Sequence, residues 1–375
     1  MSRRSWFLGA LLFAFALLSW QQRGNLLLLW LPIHCEGVPP RWLPALVSLA
    51  REEGVPGFQV AHLSEDGHLS RCAVGWASAE MPVEQMQLEH RMSYASLSKI
   101  FTSTVVLQLV EEQRLALSGF LLDYLPQNFS KFRDERIKWI TIAQLLSHRA
   151  GFDRSLTPDP MQQKHSWCPG DLSYLDRVQL DFDPGMSFAY ANVGYCLLGA
   201  VVENLEQMPM EEVVRRRVLG SEGRGRFFLV PYGKKEKGYV KPHFDEGESL
   251  GDLEQLPWNS MVATGAWSGS ASDLVNVLGK TSSHVQGREN AVWYSLRGPD
   301  RCDARRWRAC HGLAFYRYQR EGRSDMFWRD GSLPGATAFA AVFDSGEKLV
   351  FLGNYRKADW KPFNDRLGLF FAEQL

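Results

Sequence analysis

Three short groups of residues have the types and spacing to do chemistry together. Ser96-Leu97-Ser98-Lys99 opens a mostly apolar stretch over 96–115 that predicts a helix buried on most sides. Residues three apart on a helix share a face, so the Ser96 hydroxyl and the Lys99 ammonium can meet at its start. A serine is a poor nucleophile until a neighbour takes its proton, and a lysine whose pKa is lowered by desolvation can do that. Roughly one Ser-x-x-Lys is expected by chance in a chain of this composition, so the pair alone decides nothing. The second group is Tyr190-Ala191-Asn192. A tyrosine beside a lysine can be held as a phenolate, and an amide two residues on can orient nucleophile or substrate. The plainer alternative is a loop tyrosine followed by an asparagine that caps a helix. Arg329-Asp330-Gly331-Ser332 is the third group, on a predicted strand with Pro334-Gly335 after it. A glycine there lets a substrate lie close against the strand.

The elements that must position these groups follow from hydrophobic period. Residues 39–53 predict a helix with Trp42, Leu43, Leu46, Val47 and Leu49 on one face and Gly54 as its stop. Asp66-Gly67 marks a hairpin between strands around Phe58–Val60 and Leu69–Ala73. From Leu121 to Lys280 the pattern is helical and loop-rich, punctuated by prolines. After Gly312 it changes to strands over 313–319, 325–329, 336–343 and 349–354, and Trp360, Phe363, Leu367, Phe370 and Phe371 close the chain at helical spacing. Strands and terminal helices thus come from both ends and helices fill the middle. The expected class is α+β, an antiparallel sheet over about 39–95 and 281–375 interrupted by a mostly helical subdomain over about 96–280.

Composition excludes several functions. The 375 residues carry 42 Lys+Arg against 42 Asp+Glu, without a basic tract or finger-like Cys/His spacing, which argues against a nucleic-acid partner. The nine histidines show no paired, ligand-type spacing, so neither a metal nor another cofactor is expected. The glycines over 220–225 lack the Lys-Ser/Thr of a phosphate loop. Six cysteines are too few to staple a domain of this size, though an oxidising compartment would allow pairing; Cys302 and Cys310 are the nearest pair and could close a short loop, while the plainer alternative is that most, Cys196 above all, are small buried hydrophobes. Arg3 and Arg4 precede a charge-free apolar run over 5–22, and apolar residues resume at Leu26–Ile33. Residues 1–34 are therefore expected to be a signal peptide or an uncleaved membrane anchor, with 35–375 as the exported domain. Ser2-Arg3-Arg4-Ser5-Trp6-Phe7-Leu8 also resembles a twin-arginine signal, and the expected location is the periplasm, free or anchored to the inner membrane.

Taken together, the three groups resemble the serine beta-lactamase and penicillin-binding-protein superfamily, in the class C-related branch with Ser-x-x-Lys, Tyr-x-Asn and Lys/His-x-Gly motifs. The likeness extends to His90–Tyr124, Leu145–Phe152, Pro184–Glu203 and Thr264–Leu274, and covers about 40–375 in the family's order. It implies a beta-lactamase/transpeptidase-like fold and an acyl-enzyme on Ser96, with Lys99 and Tyr190 handling its proton. It further implies that Asn192 contacts the substrate amide or Lys99, and that the backbone N–H groups of Ser96 and Ser332 form the oxyanion hole. His148, inside the Leu-Leu-x-His segment, is read as structural.

The third motif departs from the family, with Arg329 where Lys or His is usual and Asp330 where a small residue is common. Arginine stays charged, so it can bind a carboxylate but cannot shuttle a proton. An aspartate in the cleft disfavours anionic substrates unless a cation pairs with it. Efficient beta-lactam hydrolysis is accordingly less expected than an esterase or peptidase-like activity on an ester or amide. The competing expectation is a catalytically silent protein that holds a cell-wall peptide or a membrane partner.

Overall fold

The computed structural model describes residues 27–375, apart from 79–82, 127–128, 130, 154, 160, 162–165, 222, 224, 232–235, 241, 246 and 284–301. An antiparallel sheet organises the chain. Its strands are β1 (Ile33–Glu36), β2 (Gly57–Leu63), β3 (Leu69–Ser78), β4 (Cys310–His311), β5 (Tyr316–Tyr318), β6 (Met326–Leu333), β7 (Ala336–Phe343) and β8 (Lys348–Gly353), in the spatial order β1-β3-β2-β8-β7-β6-β5-β4. Pairing of β2 with β8 joins the two ends of the chain, with Val60 opposite Phe351. Every residue of β7 and β8 is buried, as expected of central strands covered on both faces.

Alternation along β7 sorts its side chains. Phe339, Ala341 and Phe343 face one layer, made of α1 (Leu43–Glu52) and α5 (Lys361–Gln374), where Phe363, Leu367 and Phe371 complete an aromatic core with Phe58, Trp328 and Phe351. Ala338, Ala340 and Val342 face the other layer. That layer holds α2 (Lys99–Glu111), α3 (Asn192–Glu206) and α4 (Ala271–Ser283). Both α2 and α3 are buried on nearly all sides, so they form the interior of the helical layer rather than its surface.

The antiparallel sheet with its helical insertion is as expected, with differences at the joints. The segment predicted as one helix over 96–115 is a 3-10 turn over Ala95–Ser98, entered through a left-handed Ala95 (φ 45°), followed by α2, which ends at Glu111. Helix α4, assigned by sequence mostly to the helical subdomain, lies on β2 and β8 of the sheet. Of the expected N-terminal segment, residues 1–26 lie outside the described residues. Its end is part of the fold, with Leu27 and Leu28 packed on the core and β1 paired to β3. Among the described residues no helix is long and apolar enough to cross a membrane.

Of the two alternatives for the cysteines, pairing holds, the short Cys302–Cys310 loop included, and the buried-thiol alternative falls. Cys35–Cys72, Cys168–Cys196 and Cys302–Cys310 are disulfides, and no cysteine is free. Two of the pairs are separated by 37 and 28 residues, so tertiary structure and not local spacing brings them together.

Candidate active site

The turn that carries Ser96 is held from three sides. Tyr94 donates its backbone N–H to Trp267 O at 2.9 Å and its hydroxyl to Ser270 O at 2.9 Å, while Ser98 Oγ accepts from Trp267 N–H at 3.2 Å. The third side is β6. A Cβ on Gly331 would lie 2.7 Å from Tyr94 O and 3.0 Å from Ser96 N, so only glycine lets the strand run against the backbone of Ser96. The left-handed Ala95 is the local strain these contacts hold in place. Within Arg91–Ile100, Ser96 alone is more than marginally exposed.

Two side chains converge on its hydroxyl. Lys99, wholly buried one turn on, places Nζ 3.4 Å from Ser96 Oγ and donates to Thr264 O at 2.8 Å. Tyr190, at the entry to α3, donates its hydroxyl to Ser96 Oγ at 2.8 Å. Burial pushes the Tyr190 phenol above its ordinary range; the positive charge of Arg329 and the hydrogen bond with Ser96 pull the other way. The Lys99 ammonium also lies 5.2 Å from the Tyr190 ring centre.

Asn192 opens α3 and is buried, but its side-chain N–H goes to Asp159 Oδ2 at 2.9 Å and not to Lys99. Its Oδ1 is buried without a hydrogen-bond partner.

Arg329 is not a cleft-facing cation. Only 1% exposed, it lies beneath Ser96 and donates Nε to Ser96 O at 3.1 Å and Nη1 to Ala314 O at 2.5 Å. Its guanidinium lies 6.0 Å from the Tyr190 ring centre and 5.2 Å from that of Tyr195, and their electrostatic attraction raises its pKa against the desolvation that lowers it. The expected carboxylate contact is therefore corrected, because a wholly buried guanidinium occupied by main-chain carbonyls does not meet substrate. Asp330 is corrected too. Strand alternation turns it to the opposite face, where it pairs with Arg308 at 2.5 Å and accepts from Asn364 Nδ2 at 3.1 Å. Ser332, half-buried two residues further on, has its Oγ 3.4 Å from Arg356 Nη1.

The floor of the site holds His148, read from sequence as structural, together with His311 and Tyr195, which sequence reasoning did not single out. His148 is buried behind Tyr190, with ring centres 4.4 Å apart, Nε2 3.4 Å from Arg329 Nη2, and Nδ1 accepting the Ala191 N–H at 3.3 Å. Burial, followed by the charges of His311, Arg329 and Lys99, holds its pKa well below the usual histidine range, so it stays neutral. His311 is likewise neutral and stacks on Phe188. Tyr195 donates to Leu146 O at 3.1 Å and packs under Arg329. Its phenol, one helical turn from Asn192 in an otherwise apolar helix, was a usable signal; Thr264 contributes only a carbonyl, which no side-chain pattern reveals. Among the described residues no cluster of His, Cys, Asp and Glu could hold a metal ion.

Residues 45–365 match the family model described as Beta-lactamase. A Dichelobacter nodosus protein named for fimbrial assembly (FimD, serogroup D) is 31% identical over 350 residues, covering 89% of this chain and 83% of that protein. Penicillin-binding protein 4 of Amycolatopsis lactamdurans is 28% identical over 51% of this chain and 49% of its own length. The solved D-amino acid amidase of Ochrobactrum anthropi SV3, complexed with L-phenylalanine, shares the fold at a TM-score of 0.70 and 19% identity, over 86% of this chain and 95% of its own.

Proposed function

The chain belongs to the beta-lactamase family, and from that premise we propose that it is a serine hydrolase working through an acyl-enzyme on Ser96. The observation that carries this reading is the Ser96 hydroxyl contacted at once by Tyr190 at 2.8 Å and Lys99 at 3.4 Å. Tyr190 as phenolate accepts the Ser96 proton while Oγ adds to the substrate carbonyl. The buried cations Lys99 and Arg329 favour that phenolate over what burial alone permits. The phenol then protonates the leaving group; a water attacks the acyl-enzyme with its proton passing to the same phenolate, and the acyl–Oγ bond breaks as the phenol returns that proton to Ser96 Oγ.

Charge on the attacked carbonyl oxygen goes to the N–H groups of Ser96 and Ser332. Two features support this. Gly331 brings β6 onto Ser96 N, and Leu333 pairs with Ala336 across the Pro334-Gly335 turn, so ladder alternation turns the Ser332 N–H away from β7. Asn192 supplies a polar wall beside Tyr190.

Substrate class follows from what Arg329 does. With its guanidinium under the nucleophile, the third motif offers no cation to a substrate carboxylate, which favours simple esters and amides over beta-lactams. The three disulfides support an exported domain, since such bonds persist in oxidising compartments.

Intact-mass detection of acyl adducts after parallel incubation with a short-chain ester, an amino acid amide, a penicillin and a D-Ala-D-Ala peptide tests this reading. An adduct on Ser96 from the ester or amide supports it. A protein that binds without acylating would show no adduct with any of the four.

A further inference from the structure

Several of the exposed large apolar side chains among the described residues lie at the N-terminal edge of the sheet. Leu29 is 72%, Trp30 63% and Ile33 53% exposed, three within five residues. This display is built into the fold. Leu27 and Leu28 turn inward onto the aromatic core, and Trp76 Nε1 donates to Leu27 O at 3.1 Å and Trp30 O at 3.2 Å. Trp30 further packs edge-on against Trp76, with ring centres 5.6 Å apart. The segment is therefore pinned to β3 with its apolar side outward, where a soluble surface would present polar groups.

What lies just before it in the chain identifies the occupant. Residues 5–22 carry no charge and are dominated by Leu, Phe and Trp, a run within the length of about 17–25 residues that spans a bilayer core. Only residues 23–26 separate that run from Leu27, a tether of at most about 14 Å. We propose that the folded domain rests on a lipid bilayer by this edge, with Leu29 and Ile33 in the acyl boundary and Trp30 at headgroup depth, where indole is favoured. The proposal rests on the export reading above and adds that the domain itself, not only its leading segment, meets the lipid.

The full-length protein in phosphatidylethanolamine/phosphatidylglycerol vesicles tests it, with flotation reporting attachment of the chain and fluorescence reporting Trp30. The Trp30 signal is the difference between the wild type and Trp30→Phe. It should be quenched by brominated acyl chains and shielded at least about threefold from aqueous iodide, and Leu29→Ser/Ile33→Ser should reverse both while ester hydrolysis is unchanged. Flotation with Trp30 open to iodide overturns the proposal and leaves the anchor reading standing. Shielding from iodide without quenching by brominated lipid also overturns it, since a second copy or residues 5–22 would then cover the edge. Absence of flotation overturns both.

Discussion

At the scale of single residues, the proposed chemistry reduces to which group removes the Ser96 proton. Ser96→Ala should abolish hydrolysis of a chromogenic ester while circular dichroism stays unchanged; residual turnover would take Ser96 out of the reaction. Tyr190→Phe should lower kcat by about 10²–10⁴, the range for a general base. Because burial raises the Tyr190 pKa and the base acts deprotonated, kcat/KM should climb with pH through the alkaline range. Arg329→Met removes a cation that favours the phenolate, so that rising limb should move to still higher pH; a limb that stays in place would assign the proton to Lys99. The pairing of Ser96 with Lys99 was legible because a three-residue spacing fixes a helix face. The placement of Arg329 was not read correctly, although a period of two along a strand puts Arg329 and Asp330 on opposite faces. The motif drew both into the cleft, and only one of them faces that layer, beneath its floor.

At the scale of elements, the strands were legible from hairpin turns and alternation, and Ala336–Phe343 matches residue for residue. Strand β1 was hidden because its Ile33 ends an apolar run that reads as anchor, and pairing to β3 is a long-range property. The close passage of β6 over the nucleophile turn makes Gly331→Ala a sharp test. Its Cβ meets main-chain atoms, so the strand must shift, and activity should fall with a stability loss of about 1–3 kcal/mol in urea titration. Glu206, the last residue of α3, ties that helix to Arg114, after α2, and to Arg216 and Arg217. Hydrogen bonding to Arg217 leads the causes that bring its pKa down to about 2. A depressed carboxylate stabilises the fold above its unfolded pKa, and that contribution is lost as pH falls from about 4.5 to about 2. Glu206→Gln should therefore lower the urea midpoint at pH 7, with the gap to wild type closing across that acid window.

At the scale of the molecule, the groups of the candidate site come from residues near 96, 190 and 330, so elements far apart in the chain must pack before they meet. Two of the three disulfides reinforce that assembly across 37 and 28 residues. Replacing the Cys168–Cys196 pair with serine and alanine should cost about 2–4 kcal/mol and lower the Tm, with the proposed ester hydrolysis retained below it. Strand order has a last consequence. β1 is five strand spacings from β6, about 24 Å across the sheet. A chain moored by its leading edge would hold the reactive serine roughly that far above the lipid, out of reach of acyl tails and at the height of polymers or solutes moving in the water beyond.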